Sequence, residues 1–320
     1  MQARHIVIML LLLAAAAALC GCASPTPAPT PTAAPAAQYP MTIVDDFGRT
    51  ATLQKVPERI VSLSPANTEI LFDLGVGGKV VGVTDFCDYP AEVKNITRVS
   101  GFNGISYEKI AAANPDLIFC EDIVGEEAVT RMRDLGYAVI EVKNNNISAI
   151  RRNVQLMGKA TGTGATATAL VGDIDRRIDS ISSKTAGLKE GEKPTVLMPA
   201  GYLSGQPIYV YGSNTYGDEL ITLAGGRNSA SDIVEYQVMS TEAIIQADPD
   251  YIIIPVDGTM TTAQDFESFK AGNETWMKGL KAVKSGHVVM VDGNLMMRPG
   301  PRLPDAGLAI ARAIHPELFA

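Results

Sequence analysis

Two acids sit where the sequence passes from an apolar run into a helix-like pattern. Glu69 follows Ser64-Pro65-Ala66-Asn67-Thr68, just after the apolar stretch from Ile60 to Leu63. Glu219 lies in Gly217-Asp218-Glu219-Leu220. A carboxylate in the first turn of a helix is stabilised by the positive end of the helix. If it stays exposed, it also matches the planar fork of an arginine on a partner. Spacing leaves two readings open for each acid, a capping carboxylate and a docking carboxylate.

A second group of residues suits ligand contact rather than catalysis. Tyr89 in CDYP, Phe102 in GFNG and Tyr236 in VEYQ are aromatics in polar surroundings. Their faces could cover a flat ligand or pack their own loops. The stretch GNLMMRPGPR brings Asn294, Met296, Met297, Arg298 and Arg302 together. The methionines offer a soft apolar wall or a loop core. Arg298 could hold an anionic group or brace the loop, and bracing is the expected role of Arg302.

Enzymatic and metal chemistry lack their usual residues. The chain has 3 histidines, of which His5 falls in the leader and His287 and His315 read as structural. Zinc or manganese sites need clustered histidines and carboxylates, so no metal site is expected. No G-x-G-x-x-G follows the first strand, and no G-x-S-x-G is present. Asp85 and Asp88 have no histidine or nucleophile beside them. The expectation is a non-enzyme without a cofactor.

The elements that must position these residues follow from the whole chain. Its 320 residues are 46% hydrophobic with a net charge of −8. That suits a folded core and gives no basic surface for nucleic acid. Residues 1–22 read as a lipoprotein signal peptide: a basic start, an apolar run from Ile6 to Leu19, then Leu19-Cys20-Gly21-Cys22. The run is shorter than the ~20 residues of a membrane span. A small residue before Cys22 makes Cys22 the expected lipid anchor. Residues 23–40 are rich in Pro, Thr and Ala and read as an extended stalk. Cys87 and Cys120 remain, free or paired.

From residue 41 short apolar strands alternate with amphipathic helices, which predicts parallel sheets covered on both faces. The alternation breaks at residues 163–190. There Leu170, Ile174, Ile178, Ile181 and Leu188 form one helical stripe, suited to a strut between domains. It resumes over residues 191–320. SYEKIAAANPDLIF (106–119) and STEAIIQADPDYIII (240–254) share one layout: a Ser helix start, an acid two residues on, a turn at Asn/Asp-Pro-Asp and an apolar strand. The fold expected is α/β, with two similar parallel-sheet lobes, 41–162 and 191–320, joined by a single long interdomain helix.

The mature chain resembles the solute-binding proteins of ABC importers for cobalamin, ferric siderophores and haem, whose two lobes are joined by one long helix. The resemblance covers about residues 42–319. It is carried by RIVSLSPANTEILFDLG, VVGVTDFCDYP, GFNGISYEKIAAANPDLIF, GDELITLAGGRN and RPGPRLPDAGLAIARAIHPELF, in that order. The resemblance implies that one acid on each lobe docks with arginines of a membrane permease, here Glu69 and Glu219. It implies a ligand held between the lobes, outside the carboxyl ends of the strands, with Tyr89, Phe102, Tyr236, Asn294 and Arg298 as contact residues. Among these ligands the cobalamin branch is matched best. Ferric siderophore and haem are the alternatives, as is a surface sensor without a transporter. The partners implied are the permease, its ATPase subunits and the outer face of the membrane through Cys22, with the protein a monomer.

Overall fold

In the computed structural model of the chain, residues 38–320 are described, and they fall within one compact unit. The first lobe opens with a hairpin, β1 (Met41–Val44) and β2 (Thr50–Leu53), paired antiparallel. Then follow β3 (Ile60–Ser62), α1 (Pro65–Asp73), β4 (Val80–Thr84), β5 (Thr97–Gly101), β6 (Gly104–Ile105), α2 (Tyr107–Ala113), β7 (Leu117–Glu121), α3 (Glu126–Asp134), β8 (Val139–Val142) and α4 (Ile147–Thr161). The sheet order is β6-β5-β4-β3-β7-β8, parallel except for the short edge strand β6. Its central strands are buried along almost their whole length because helices cover both faces.

α5 (Gly164–Thr185) is the long helix, about 33 Å at 1.5 Å per residue. It ends before Leu188, within the stretch expected from the sequence. Ala167 and Ile174 pack into the core of the first lobe, and Ile181 packs into that of the second. A single helix thus carries one apolar stripe through two cores.

The second lobe contains β9 (Thr195–Leu197), β10 (Tyr209–Tyr211), α6 (Tyr216–Leu223), β11 (Arg227–Asn228), β12 (Tyr236–Val238), α7 (Thr241–Ala247), β13 (Tyr251–Val256), α8 (Ala263–Lys270), α9 (Lys281–Lys284), β14 (Val288–Asp292), α10 (Gly293–Met296) and α11 (Leu303–Ile314). Its parallel sheet has the order β11-β9-β13-β14. The lobes are therefore related but unequal. β10 leaves the sheet and pairs antiparallel with β12, which places Tyr236 on a strand rather than on a loop.

The repeated sequence unit folds the same way twice. Ser106 caps α2 by accepting from Lys109 N at 3.3 Å, and Ser240 caps α7 by accepting from Ala243 N at 3.2 Å. Each helix stops at a left-handed residue before proline, Asn114 (φ 43°) and Asp248 (φ 35°). Asn and Asp tolerate that conformation, and the proline forbids another helical turn. The next acid anchors the start of a central strand: Asp116 accepts from Glu58 N and Arg59 N just before β3, and Asp250 from Thr195 N of β9.

Candidate functional site

Parallel strands aim their carboxyl ends at one edge of each sheet, and the two edges face each other across the cleft. Tyr89 follows β4, Phe102 lies between β5 and β6, and Asn294 and Arg298 follow β14, so the sequence candidates converge on these ends.

Glu69 departs from its expected place. It lies beyond the first turn of α1 and is only 2% exposed. Its two oxygens accept from Nε and Nη2 of Arg302 at 2.8 and 2.6 Å. Arg302 comes from the other lobe, and its guanidinium lies 4.0 Å over the ring of Tyr89. The carboxylate of Glu69 is the main reason the Arg302 pKa is raised. Arg298 reaches Glu69 at 3.7 Å and is ion-paired and hydrogen-bonded to Asp88. That bond holds the Asp88 carboxyl below its usual range. Both arginines of the 298–302 loop thus spend their charge on acids of the opposite lobe.

Glu219 lies in the first turn of α6, as expected, but is partly buried, and its Oε2 accepts from Ile147 N at 2.6 Å. It caps the N-terminus of α4 in the first lobe, where the orphan N–H groups favour an acid. Glu69 and Glu219 are therefore reciprocal contacts, each acid reaching the other lobe. Glu108 of α2 and Glu242 of α7 do stand exposed in a first turn, one on each copy of the repeated unit. They are the acids two residues after the Ser helix start in 106–119 and 240–254, and the internal repeat is the signal that marks them.

The cleft floor carries a group that spacing did not single out. Glu121 ends β7, and its Oε1 accepts from Ser64 Oγ at 2.5 Å and from Asn144 Nδ2 at 3.0 Å. Burial raises its pKa against those two hydrogen bonds. Beside Asn144, Lys143 bridges to Glu235 of the second lobe at 3.6 Å. The next residue, Tyr236, packs on Tyr211 (ring centroids 5.1 Å) and Tyr216 (6.2 Å). Burial pushes the phenols of Tyr216 and Tyr236 up, and the charge of Glu121 adds to the shift in both. Asn67, in the first turn of α1, is fully buried with neither amide atom partnered.

The rim is apolar. Phe102 is 81% exposed and meets Phe86 edge-on at 4.7 Å. Asn294 sits in α10, where its N–H bonds Asp292. Met296 is buried in the core, while Met297 is partly exposed. Cys87 and Cys120 are both free and buried. His315 is buried between Gly225 O and Glu317, and His287 stacks on Tyr251 at 4.3 Å. Among the described residues no cluster of three metal-ligating side chains occurs, and no helix is long and apolar enough to cross a membrane. Cys22 lies outside the described residues.

Comparison with known proteins agrees with this architecture. The family profile described as periplasmic binding protein matches residues 60–295. The uncharacterized ABC transporter substrate-binding lipoprotein YvrC of Bacillus subtilis is 32% identical over 286 residues, 88% of this chain and 87% of that protein. A cobalamin-binding protein of Halobacterium salinarum is 28% identical over 286 residues, 88% of this chain and 75% of that protein. The solved periplasmic heme-binding protein RhuT of Roseiflexus sp. RS-1, in apo form, is 27% identical, with a TM-score of 0.68 over 81% of this chain and 99% of that one.

Proposed function

The chain belongs to the periplasmic binding protein family, and from that premise we propose that its ligand is a corrinoid, cobalamin or a close relative. It is an ABC-transporter substrate-binding protein of the class whose members bind cobalamin, haem and iron complexes, and it is not an enzyme.

One observation carries the choice of ligand. The two arginines of the cleft loop are each neutralised within the protein, Arg302 by Glu69 and Arg298 by Asp88. Asp85, Glu121 and Asp122 have no ion-pair partner among the described residues. A ligand edged with carboxylates, as haem is, would find both arginines of the 298–302 loop already paired with acids. Cobalamin is edged with carboxamides, which hydrogen-bond to acids and phenols alike. The exposed faces of Phe86, Tyr89 and Phe102 suit its macrocycle. The cobalamin-binding relative from Halobacterium supports the same reading.

Haem and ferric siderophores form the second reading, favoured by the heme-binding neighbour.

In this proposal Cys22 carries the lipid that anchors a monomer to the outer face of the membrane, and the stalk keeps it near the permease. Glu108 and Glu242 are the docking acids for the permease, because they are exposed, on matched helices and one per lobe. Glu69 and Glu219 hold the lobes together instead. ATP hydrolysis by the partner subunits parts the lobes and releases the ligand inward. The test is uptake of radiolabelled cyanocobalamin by cells with and without this gene. Loss on deletion with restoration by the chain supports import; equal uptake contradicts it.

A further inference from the structure

The cleft floor holds an acid that lobe closure and docking do not use. Glu121 has one oxygen, Oε1, fixed by Ser64 and Asn144 at 2.5 and 3.0 Å. Among the described residues no hydrogen bond or ion pair reaches Oε2. Lys143, next to Asn144, is engaged with Glu235 across the cleft. A carboxyl held this way, with one edge fixed and the other free, is oriented before any ligand arrives.

The surroundings point to a polar, uncharged partner. Tyr236 adjoins Glu235 and lies within the electrostatic reach of Glu121 from the second lobe. Asn67 stands beside Ser64, whose Oγ accepts from Asn67 N at 3.3 Å. Both amide atoms of this fully buried side chain lack a partner in the protein. A buried amide without partners is costly, and such groups call for a specific explanation.

We propose that Glu121 is a specificity-determining residue, pairing through Oε2 with a carboxamide arm of the bound corrinoid and turning away macrocycles edged with carboxylates. The inference rests on the corrinoid reading above and deepens it. A primary amide both donates and accepts, so it pairs with a carboxyl in either protonation state. With Glu121 protonated, its Oε2–H donates to the amide carbonyl. With Glu121 ionised, the amide N–H donates to Oε2. A carboxylate arm cannot donate, so the ionised form meets it with repulsion in a poorly solvated site.

The test compares two corrinoids with the same macrocycle and metal, dicyanocobinamide with its amide arms and dicyanocobyrinic acid with carboxylate arms. Binding is measured by calorimetry to the full chain in detergent at pH 7. The parent protein is expected to prefer the amide form. In Glu121→Gln the carboxylate form should gain, narrowing the ratio about tenfold, the worth of one charged contact. Glu121→Ala should weaken the amide form about tenfold, the loss of one hydrogen bond. Thermal melts of each variant separate misfolding from altered recognition. A ratio unchanged within about twofold in well-folded Glu121→Gln overturns the role of Glu121 while leaving the corrinoid reading standing. Failure of the parent to bind either compound overturns that reading, and this inference with it.

Discussion

Arg302 donates from Nε and Nη2 to the two oxygens of Glu69, 233 residues earlier in the chain, at 2.8 and 2.6 Å. The pair crosses from one lobe to the other with Glu69 only 2% exposed. Such a pair adds little over an apolar contact, but removing one partner strands a buried charge. Glu69→Ala should therefore cost about 3 kcal/mol and lower the melting temperature by several degrees. Adding Arg302→Ala should restore part of the loss, so the double variant is more stable than additivity allows. Differential scanning calorimetry of the four proteins checks this, and strictly additive losses would remove the pair as an interlobe contact.

The pH dependence of Glu121 has a definite sign. Its native pKa lies above the unfolded value of about 4.3, because burial disfavours the charge. The native state thus holds the proton more tightly. Stability is greatest below the unfolded pKa, falls as pH rises through the interval between the two values, and levels off above the native one. Glu121→Gln removes this titration. Its melting temperature relative to the parent should rise from pH 4 to pH 7, and a constant difference would count against a raised pKa.

Charge reversal of the exposed pair, Glu108→Lys with Glu242→Lys, should abolish uptake and leave ligand affinity within about twofold, since rim charges act mainly on encounter. Neither side chain takes part in a cleft contact in the structure. Wild-type uptake by the double variant would exclude these acids as the docking pair.

The buried thiols make a simpler test. Cys87 lies against the hydroxyls of Thr68 and Thr84, and burial pushes the Cys120 thiol up. Both should resist alkylation in the folded protein and react fully after denaturation without reductant. Peptide mass spectrometry reads each site, and a linked pair of peptides would contradict the free state.

The alternation of strands and helices was legible because parallel sheets bury whole strands, and their apolar runs stand out. The long helix was legible from its stripe, although Leu188 belongs to the turn after it. The repeated Ser-helix-Pro-Asp unit showed the kinship of the lobes, even to the anchoring aspartates. What the sequence hid depends on contacts between distant segments. Nothing local marks Glu69 as the partner of Arg302, so a first-turn, exposed position was expected where the structure has a buried clamp. Nothing local tells that Tyr236 joins a strand with Tyr211. Glu121 offered one faint sign, a charge ending the apolar strand Leu117–Glu121.

The most direct test of the central claim is calorimetric titration of the purified protein with cyanocobalamin, with haemin run in parallel. The account predicts tight one-to-one binding of cyanocobalamin, weaker binding of haemin, and a loss of cyanocobalamin affinity in Phe102→Ala, whose ring is 81% exposed at the rim. Binding of haemin with no heat from cyanocobalamin would contradict it.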